Sequence, residues 1–427
     1  MDTTTDFVIW EPYSWWEHWL SRHLDSDFFP DAEIIAEREL PPKIAANLHR
    51  DPRTKIAILD YNYIPGIAHG DHRISDDQRL DLQGLQWADL VIVFNTEQLS
   101  DWWYRVYARC CEPMHTDRVV CLFNGLQSYN HAPVDLVHTD MLTWFTKVAV
   151  ANHYHDITAT NTPFRRYMFD CLIGSAKPGR MRLFYRLWEN TELRDLCLIN
   201  LHSNPHGDMD AAALDQACGA EIARHGLIEN FQSPRLLELE SDVMKQFKTQ
   251  ARSAAELYSV NPVPVPGPVP GGRINMSCLV PWNIYEASWY SIVAETSDSG
   301  SSSLFISEKI AKCLYAKRIF VVFGSAGLLA YLRRWGFETW SDIIDESYDQ
   351  EPDDARRYEM AWQQVLALWH TDPRAVYEQM QDRLERNHQR FMCLPQQQIS
   401  QISMFINAAL KRHRSFALEQ VKIPDGG

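Results

Sequence analysis

Residues 289–336 read WYSIVAETSDSGSSSLFISEKIAKCLYAKRIFVVFGSAGLLAYLRRWG, and this stretch decides the fold. It divides into strand, polar loop, helix, strand, turn and helix, with the polar residues at the joins. Residues 291–294 make a short apolar strand that stops at Glu295. Residues 297–303, SDSGSSS, are a loop of turn-prone residues. Ser307 precedes Glu308 and Lys309 at the opening of an apolar-periodic helix, and residues 319–323 are a buried-type strand ended by Gly324. A helix N-terminus carries unpaired N–H groups and a partial positive charge, so it binds phosphate, and a lysine in its first turn adds a full charge. A nearby carboxylate can accept from the hydroxyls of a ribose or sugar. The segment therefore reads as a nucleotide diphosphate site. The same Ser-Glu-Lys order also describes an ordinary helix cap.

Outward from this stretch the same alternation recurs. Residues 7–10 and 55–59 are short buried strands, the second ending at Asp60, and residues 90–94 are a wholly apolar strand ending at Asn95. An aromatic helix around residues 102–107 follows, and residues 119–123 and 148–150 repeat the strand pattern. Strands separated by helices predict parallel sheets, whose ligands bind at the carboxyl ends of the strands. The polar loop YNYIPGIAHGDHRISDDQR starts at such an end, and loops so placed commonly carry function. A turn-prone link at residues 159–163 precedes a second set of strands at residues 167–173 and 197–201. Residues 202–276 form an insertion with helical stretches at 211–224 and 235–257, closed by the proline-rich run PVPVPGPVPGG, which favours an extended spacer. Residues 339–348 predict a last strand and an acidic turn. Helices at 353–369, from Pro373 and at 396–411 then end the chain. The domains predicted are residues 1–160, residues 161–390 with the insertion, and a terminal helix and tail at 391–427.

The order of apolar strand, Glu, Gly/Ser loop, aromatic, β-branched residue, Ser, Glu-Lys, helix and strand resembles the donor-binding half of α-1,3-fucosyltransferase-like glycosyltransferases. Phe305, Ile306, Ser307, Glu308 and Lys309 fill the family pattern, and Glu295 fills its upstream acid. A second match is GSAKPGRMRLFYRL, which places Arg180 after a small-residue turn with Phe184 and Leu187 on the following helix. The resemblance implies two Rossmann-like domains facing a cleft, the GT-B architecture, with the donor in the second domain. It implies that Arg180 and Lys309 hold the donor pyrophosphate and that Glu295 and Glu308 hold sugar or ribose hydroxyls. Phe305 would wall the pocket, and Ser307 and Gly324 complete the donor set. The match covers about a third of the chain. It departs from the family where Phe305 replaces a tyrosine and where Lys317-Arg318-Ile319-Phe320 replaces Gly-x-Val-Pro. The identity of the sugar does not transfer.

Such a transferase needs no metal, because cationic side chains and a helix N-terminus offset the charge of the leaving diphosphate. No cofactor is expected beyond the nucleotide-diphosphate sugar as donor. An inverting transfer needs a base on the acceptor hydroxyl. The loop after Asp60 supplies it, with Asp71 first and His69, His72 and Asp60 as alternatives. The acceptor is open among a glycan, a protein side chain and a modified nucleic-acid base. Two other readings compete: a non-catalytic nucleotide-sugar binder, and a metal-dependent GT-A transferase using Asp25-Ser26-Asp27 or Asp208-Met209-Asp210.

Composition narrows the classes. At 427 residues the chain exceeds one ordinary core and predicts two domains. A net charge of −15 argues against non-specific coating of nucleic acid or anionic membrane, so nucleic acid enters only as an acceptor. Nine cysteines without a CxxC pair fit neither a disulfide framework nor a zinc site, and point to a reducing compartment. The acidic start MDTTTDFVIWEP is unlike a signal segment, and no apolar run approaches a membrane span. The expected setting is cytoplasmic, in a bacterium or virus. Neither G-x-G-x-x-G after a strand, nor G-x-x-x-x-G-K-[ST], nor G-x-S-x-G occurs, which weakens dinucleotide oxidoreductase, P-loop and common hydrolase readings.

Overall fold

A computed structural model of the chain describes residues 7–10, 33–35, 50, 52–60, 87–98, 119–124, 135–139, 165–174, 176–201, 211–228, 230–236, 238–239, 280–295, 304 and 306–420. The fold is mixed α/β, built on parallel-rich sheets, in two compact units. One unit holds Met1–Asp140 with Pro395–Gly427, the other Met141–Leu394. Residues 159–163, the expected link, lie outside the described residues.

The first unit carries a six-stranded sheet of β1 (Phe7–Trp10), β2 (Glu33–Ile35), β3 (Thr54–Asp60), β4 (Leu90–Gln98), β5 (Val119–Asn124) and β6 (Asp135–Thr139). Its order is β2-β1-β3-β4-β5-β6 and every pairing is parallel. Ile56, Ala57, Val91 and Ile92 are buried, as parallel strands covered on both faces require. The strand order reverses between β1 and β3, and Asp60 is the last residue of β3.

The second unit carries β7 (Tyr167–Ile173), β8 (Cys197–Leu201), β9 (Phe231–Gln232), β10 (Ser288–Ala294) and β11 (Ile319–Phe323) in the order β11-β10-β7-β8-β9. Only the edge strand β9 is antiparallel. Here the order reverses between β7 and β10. Helix α1 (Pro178–Glu189) follows β7, α2 (Thr191–Asp195) precedes β8, and α3 (Ala211–His225) lies in the expected insertion. Helix α4 (Trp282–Ala287) leads into β10, α5 (Glu308–Tyr315) joins β10 to β11, and α6 (Leu328–Arg334) follows β11. Phe184 and Leu187 of α1 are wholly buried, as their helical spacing predicts.

Two expectations are corrected. Residues 339–348 form no strand: Ile343 and Ile344 donate N–H to the Trp340 carbonyl, and a 3-10 turn runs over Glu346–Gln350. The acidic residues there serve N–H groups instead of ending a ladder. Glu346 Oε1 accepts from Trp340 N–H at 2.5 Å, and Asp345 accepts from Ser347 N–H at 2.9 Å. Helix α7 (Asp354–Trp369) forms as expected, with Asp353 as its cap. The two helices placed beyond it are one, α8 (Pro373–Gln420), which runs through Pro395 although that residue supplies no N–H to the ladder.

Candidate functional site at the strand-order reversal of the second sheet

The ends of β7 and β10 flank the reversal, the place where open parallel sheets bind ligands. From β7 the chain passes through Gly174 and Ala176 into α1, whose first helical position is Pro178 and whose start has no side-chain cap. Proline suits that position, since its missing N–H would find no helical partner. Arg180 stands in this first turn and is 3% exposed. Its Nε donates to the Glu295 carbonyl at 3.0 Å, tying the start of α1 to the end of β10.

Glu295 organises the next layer. Its N–H donates to the Phe323 carbonyl at 2.9 Å, extending the pairing with β11, while its side chain is wholly buried. Oε1 accepts from Ser307 N–H at 3.1 Å, which fixes the entry to α5. Ser307 caps α5 by accepting from Lys309 N–H at 3.2 Å. The Lys309 ammonium lies 3.3 Å from Ser307 Oγ and 3.2 Å from Glu308 Oε1. Gly324 closes the group from β11: a Cβ there would come within 3.1 Å of the Glu295 Cβ and 3.3 Å of Leu328 Cδ1, so only glycine fits without displacement. The Gly324 carbonyl accepts from Arg357 Nε at 2.8 Å.

The sequence-predicted donor residues Arg180, Glu295, Ser307, Glu308, Lys309 and Gly324 thus meet in one cluster, although Arg180 and Lys309 are far apart in the chain. Phe305 and the loop 297–303 lie outside the described residues, as do His69, Asp71, His72, both Asp-x-Asp pairs and the proline-rich run. Of the first-unit candidates, only Asp60 is placed, at the carboxyl end of β3 beside that sheet's own reversal.

Charge at the cluster is balanced by burial. Burial pushes the Glu295 carboxyl above its ordinary value, against the pull of Lys309 and Ser307. For Glu308 burial acts in the same direction, but the Lys309 and Lys312 ammonium groups outweigh it and hold the carboxyl below the ordinary range. Glu308 is therefore ionised at neutral pH, next to a cation at a helix N-terminus. Such a set can orient a polyanion and accept from hydroxyls.

Three helices follow the strands at this end, and their N-termini differ. The start of α6 is filled by a protein carboxylate: Asp349 accepts from Leu329 N–H at 2.8 Å and from Ala330 N–H at 2.9 Å. The start of α5 is capped by Ser307, whereas α1 has no side-chain cap. The thiols nearby are not nucleophiles. Burial pushes Cys313 up to about 12 and raises Cys171 further, so neither forms a thiolate at neutral pH. Among the described residues no group of three or more His, Cys, Asp or Glu is arranged to hold a metal ion, and no helix is long and apolar enough to cross a membrane.

Arg357 and Asp349 were not foreseen, because both act from helices and turns remote in sequence. Arg318 was read only as a departure from a pattern. It is 1% exposed and pairs with Asp170 of β7 at 2.7 Å. The available signal was the aspartate in the centre of YMFDCLI, since a carboxylate inside a buried strand requires a partner. Lys317 holds φ 54°, and its N–H and that of Arg318 return to the Leu314 and Cys313 carbonyls, a Schellman end to α5. The chain matches no protein-family model and no curated protein sequence.

Proposed function

We propose that the chain is a metal-independent glycosyltransferase of the GT-B type, similar in its donor half to α-1,3-fucosyltransferase-like enzymes. It moves a sugar from a nucleotide-diphosphate donor to a glycan, protein or modified-base acceptor. One observation carries this reading: the hydrogen-bonded path from Arg180 through Glu295 and Ser307 to Lys309 lies at the strand-order reversal and joins the starts of α1 and α5. Two cations and two helix N-termini brought to one end of the sheet suit a diphosphate whose negative charge grows as the sugar leaves. Glu295 is buried and spends its Oε1 on the Ser307 N–H, so its role is to position the α5 entry. Glu308, at the helix mouth and held ionised, is the acceptor for ribose or sugar hydroxyls. The base that takes the acceptor proton comes from the segment that begins at Asp60, with Asp71 first and His69, His72 and Asp60 as alternatives.

The test is release of nucleotide diphosphate from a panel of nucleotide sugars, measured with and without excess chelator. Turnover of one donor that persists in chelator is the expected result. Turnover only with added manganese would replace this reading by a metal-dependent one. Saturable binding without turnover would leave a nucleotide-sugar-binding protein.

A further inference from the structure

A cavity of about 180 Å3 lies among α1, α3 and α7 of the second unit. Its floor is aromatic: Phe323, Tyr358 and Trp362 are all buried, and Tyr358 meets Phe323 edge-on at 5.3 Å. Its rim carries both signs of charge. Arg186 and Glu359 neutralise one another across the rim at 2.5 Å. Arg182 and Glu221, the other charged residues of the lining, do not pair with each other. Arg182 spends its Nε on the Ala217 carbonyl at 3.0 Å, and its guanidinium stands over the Tyr358 ring at 5.9 Å. Among the described residues its two terminal nitrogens form no hydrogen bond or ion pair, and neither does the Glu221 carboxylate.

Helix α3 is interrupted at Cys218, which has non-helical backbone angles (φ −153°, ψ 30°), and the break turns the Ala217 carbonyl to Arg182. The guanidinium is thereby held between a backbone acceptor and an aromatic face, with its remaining donors uncommitted. Arginine in that state recognises a carboxylate through two parallel N–H bonds.

We propose that this cavity binds a small aromatic zwitterion, of the chemical class of an aromatic α-amino acid. The carboxylate lies on Arg182, the ammonium on Glu221, and the ring on Tyr358 and Trp362. The volume is below the ~300–1,000 Å3 of sites that take drug-sized ligands, which fits one ring with a short polar head and excludes a whole nucleotide. An aromatic floor supplies area and ring-edge contacts, and the two opposite charges at the rim fix the orientation of the head. The lining includes none of the residues proposed to bind the donor, and the proposal does not depend on that reading. The cavity wall is nevertheless shared, since Phe323 precedes Gly324 and Arg357, beside Tyr358, holds the Gly324 carbonyl.

The experiment is ligand-observed NMR of the full chain with L-phenylalanine, L-tyrosine and L-tryptophan as probes. 3-Phenylpropionate and phenethylamine serve as the controls that lack one charge each. At least one amino acid should bind saturably at millimolar concentration or below. Each control and each of Arg182→Ala and Glu221→Gln should weaken that binding roughly tenfold, the loss of one charge-assisted contact. The control ligands need no variant to fold, so they decide the matter alone if a substitution disrupts α1 or α3. Absence of saturable binding by all three amino acids would overturn the proposal. So would binding that is indifferent to loss of the carboxylate.

Discussion

Asp170→Asn removes one charge from a pair that the second sheet encloses, and the structure sets the size of the effect. Arg318 gives Nη2 to Asp170 Oδ2 at 2.7 Å, Nη1 to the Tyr285 and Ser288 carbonyls at 2.6 Å each, and Nε to Ser291 Oγ at 3.2 Å. Its guanidinium also lies over the Tyr285 ring at 4.9 Å. Asp170 Oδ2 further accepts the hydroxyls of Ser288 at 2.8 Å and Ser291 at 3.0 Å. Both side chains are almost fully buried, at 1% and 4% exposure. An asparagine preserves the shape and an acceptor but leaves the guanidinium without a counter-charge. Breaking one side of such a pair costs about 3–5 kcal/mol. Ser291→Ala removes one bond from the guanidinium and one to the carboxylate but leaves the ion pair itself intact, and should cost less, about 1.5–3 kcal/mol. The assay is urea denaturation followed by near-ultraviolet circular dichroism, with the transitions of the two units fitted separately. The double replacement Asp170→Leu with Arg318→Met should recover only part of the loss, because apolar residues can substitute for a buried pair but leave the Tyr285 and Ser288 carbonyls without the Arg318 donor. An Asp170→Asn protein within about 1 kcal/mol of the parent would refute the reasoning, because it would mean that Arg318 needs no charged partner.

Other outcomes follow from single positions. Gly324→Ala should destabilise the second unit by about 1–3 kcal/mol through overpacking against Glu295 and Leu328, read as a lower urea midpoint at unchanged slope. Lys317→Gly should raise stability by about 1 kcal/mol, since φ 54° favours glycine and its exposed pairing with Glu385 contributes little. His388 is held below its ordinary value by burial, and its Nδ1 lies 2.7 Å from the Tyr315 carbonyl, as a neutral ring donating there would. The unfolded chain then binds a proton that the folded one refuses. Stability should therefore fall as pH drops from about 6.5 toward the lower folded value, by at most about 1.4 kcal/mol per pH unit, and His388→Gln should flatten that part of the profile.

The strands were legible where burial on both faces makes them continuous apolar runs. Thr54–Asp60, Cys197–Leu201 and Ile319–Phe323 each end at a polar residue or glycine, and the structure sets their bounds within a residue or two of the sequence reading. The entry to α5 was legible for the same reason, because a cap is a local signal. Long-range satisfaction was not. TWSDIIDESY has the composition of a strand and turn, yet Glu346 and Asp345 accept from the N–H groups of Trp340 and Ser347, and Asp349 just beyond the segment accepts from the start of α6, which periodicity cannot reveal. Pro395 reads as a helix end, but the helix continues through it. Strand β10 begins at Ser288, three residues before the apolar run, because the Ser288 and Ser291 hydroxyls are claimed by Asp170 in the neighbouring strand.

The proposed donor site is tested most directly by calorimetric titration of UDP and GDP into the parent chain and into Lys309→Ala. The Lys309 ammonium lies against Ser307 Oγ and Glu308 Oε1, whereas the Arg180 Nε bond to the Glu295 carbonyl is made by other atoms. The account predicts that the parent binds at least one nucleotide diphosphate and that the variant binds it with about 1.5–3 kcal/mol less free energy, roughly a ten- to hundredfold weaker Kd. Equal affinity in the two proteins, or no binding of either nucleotide to the parent, would contradict it.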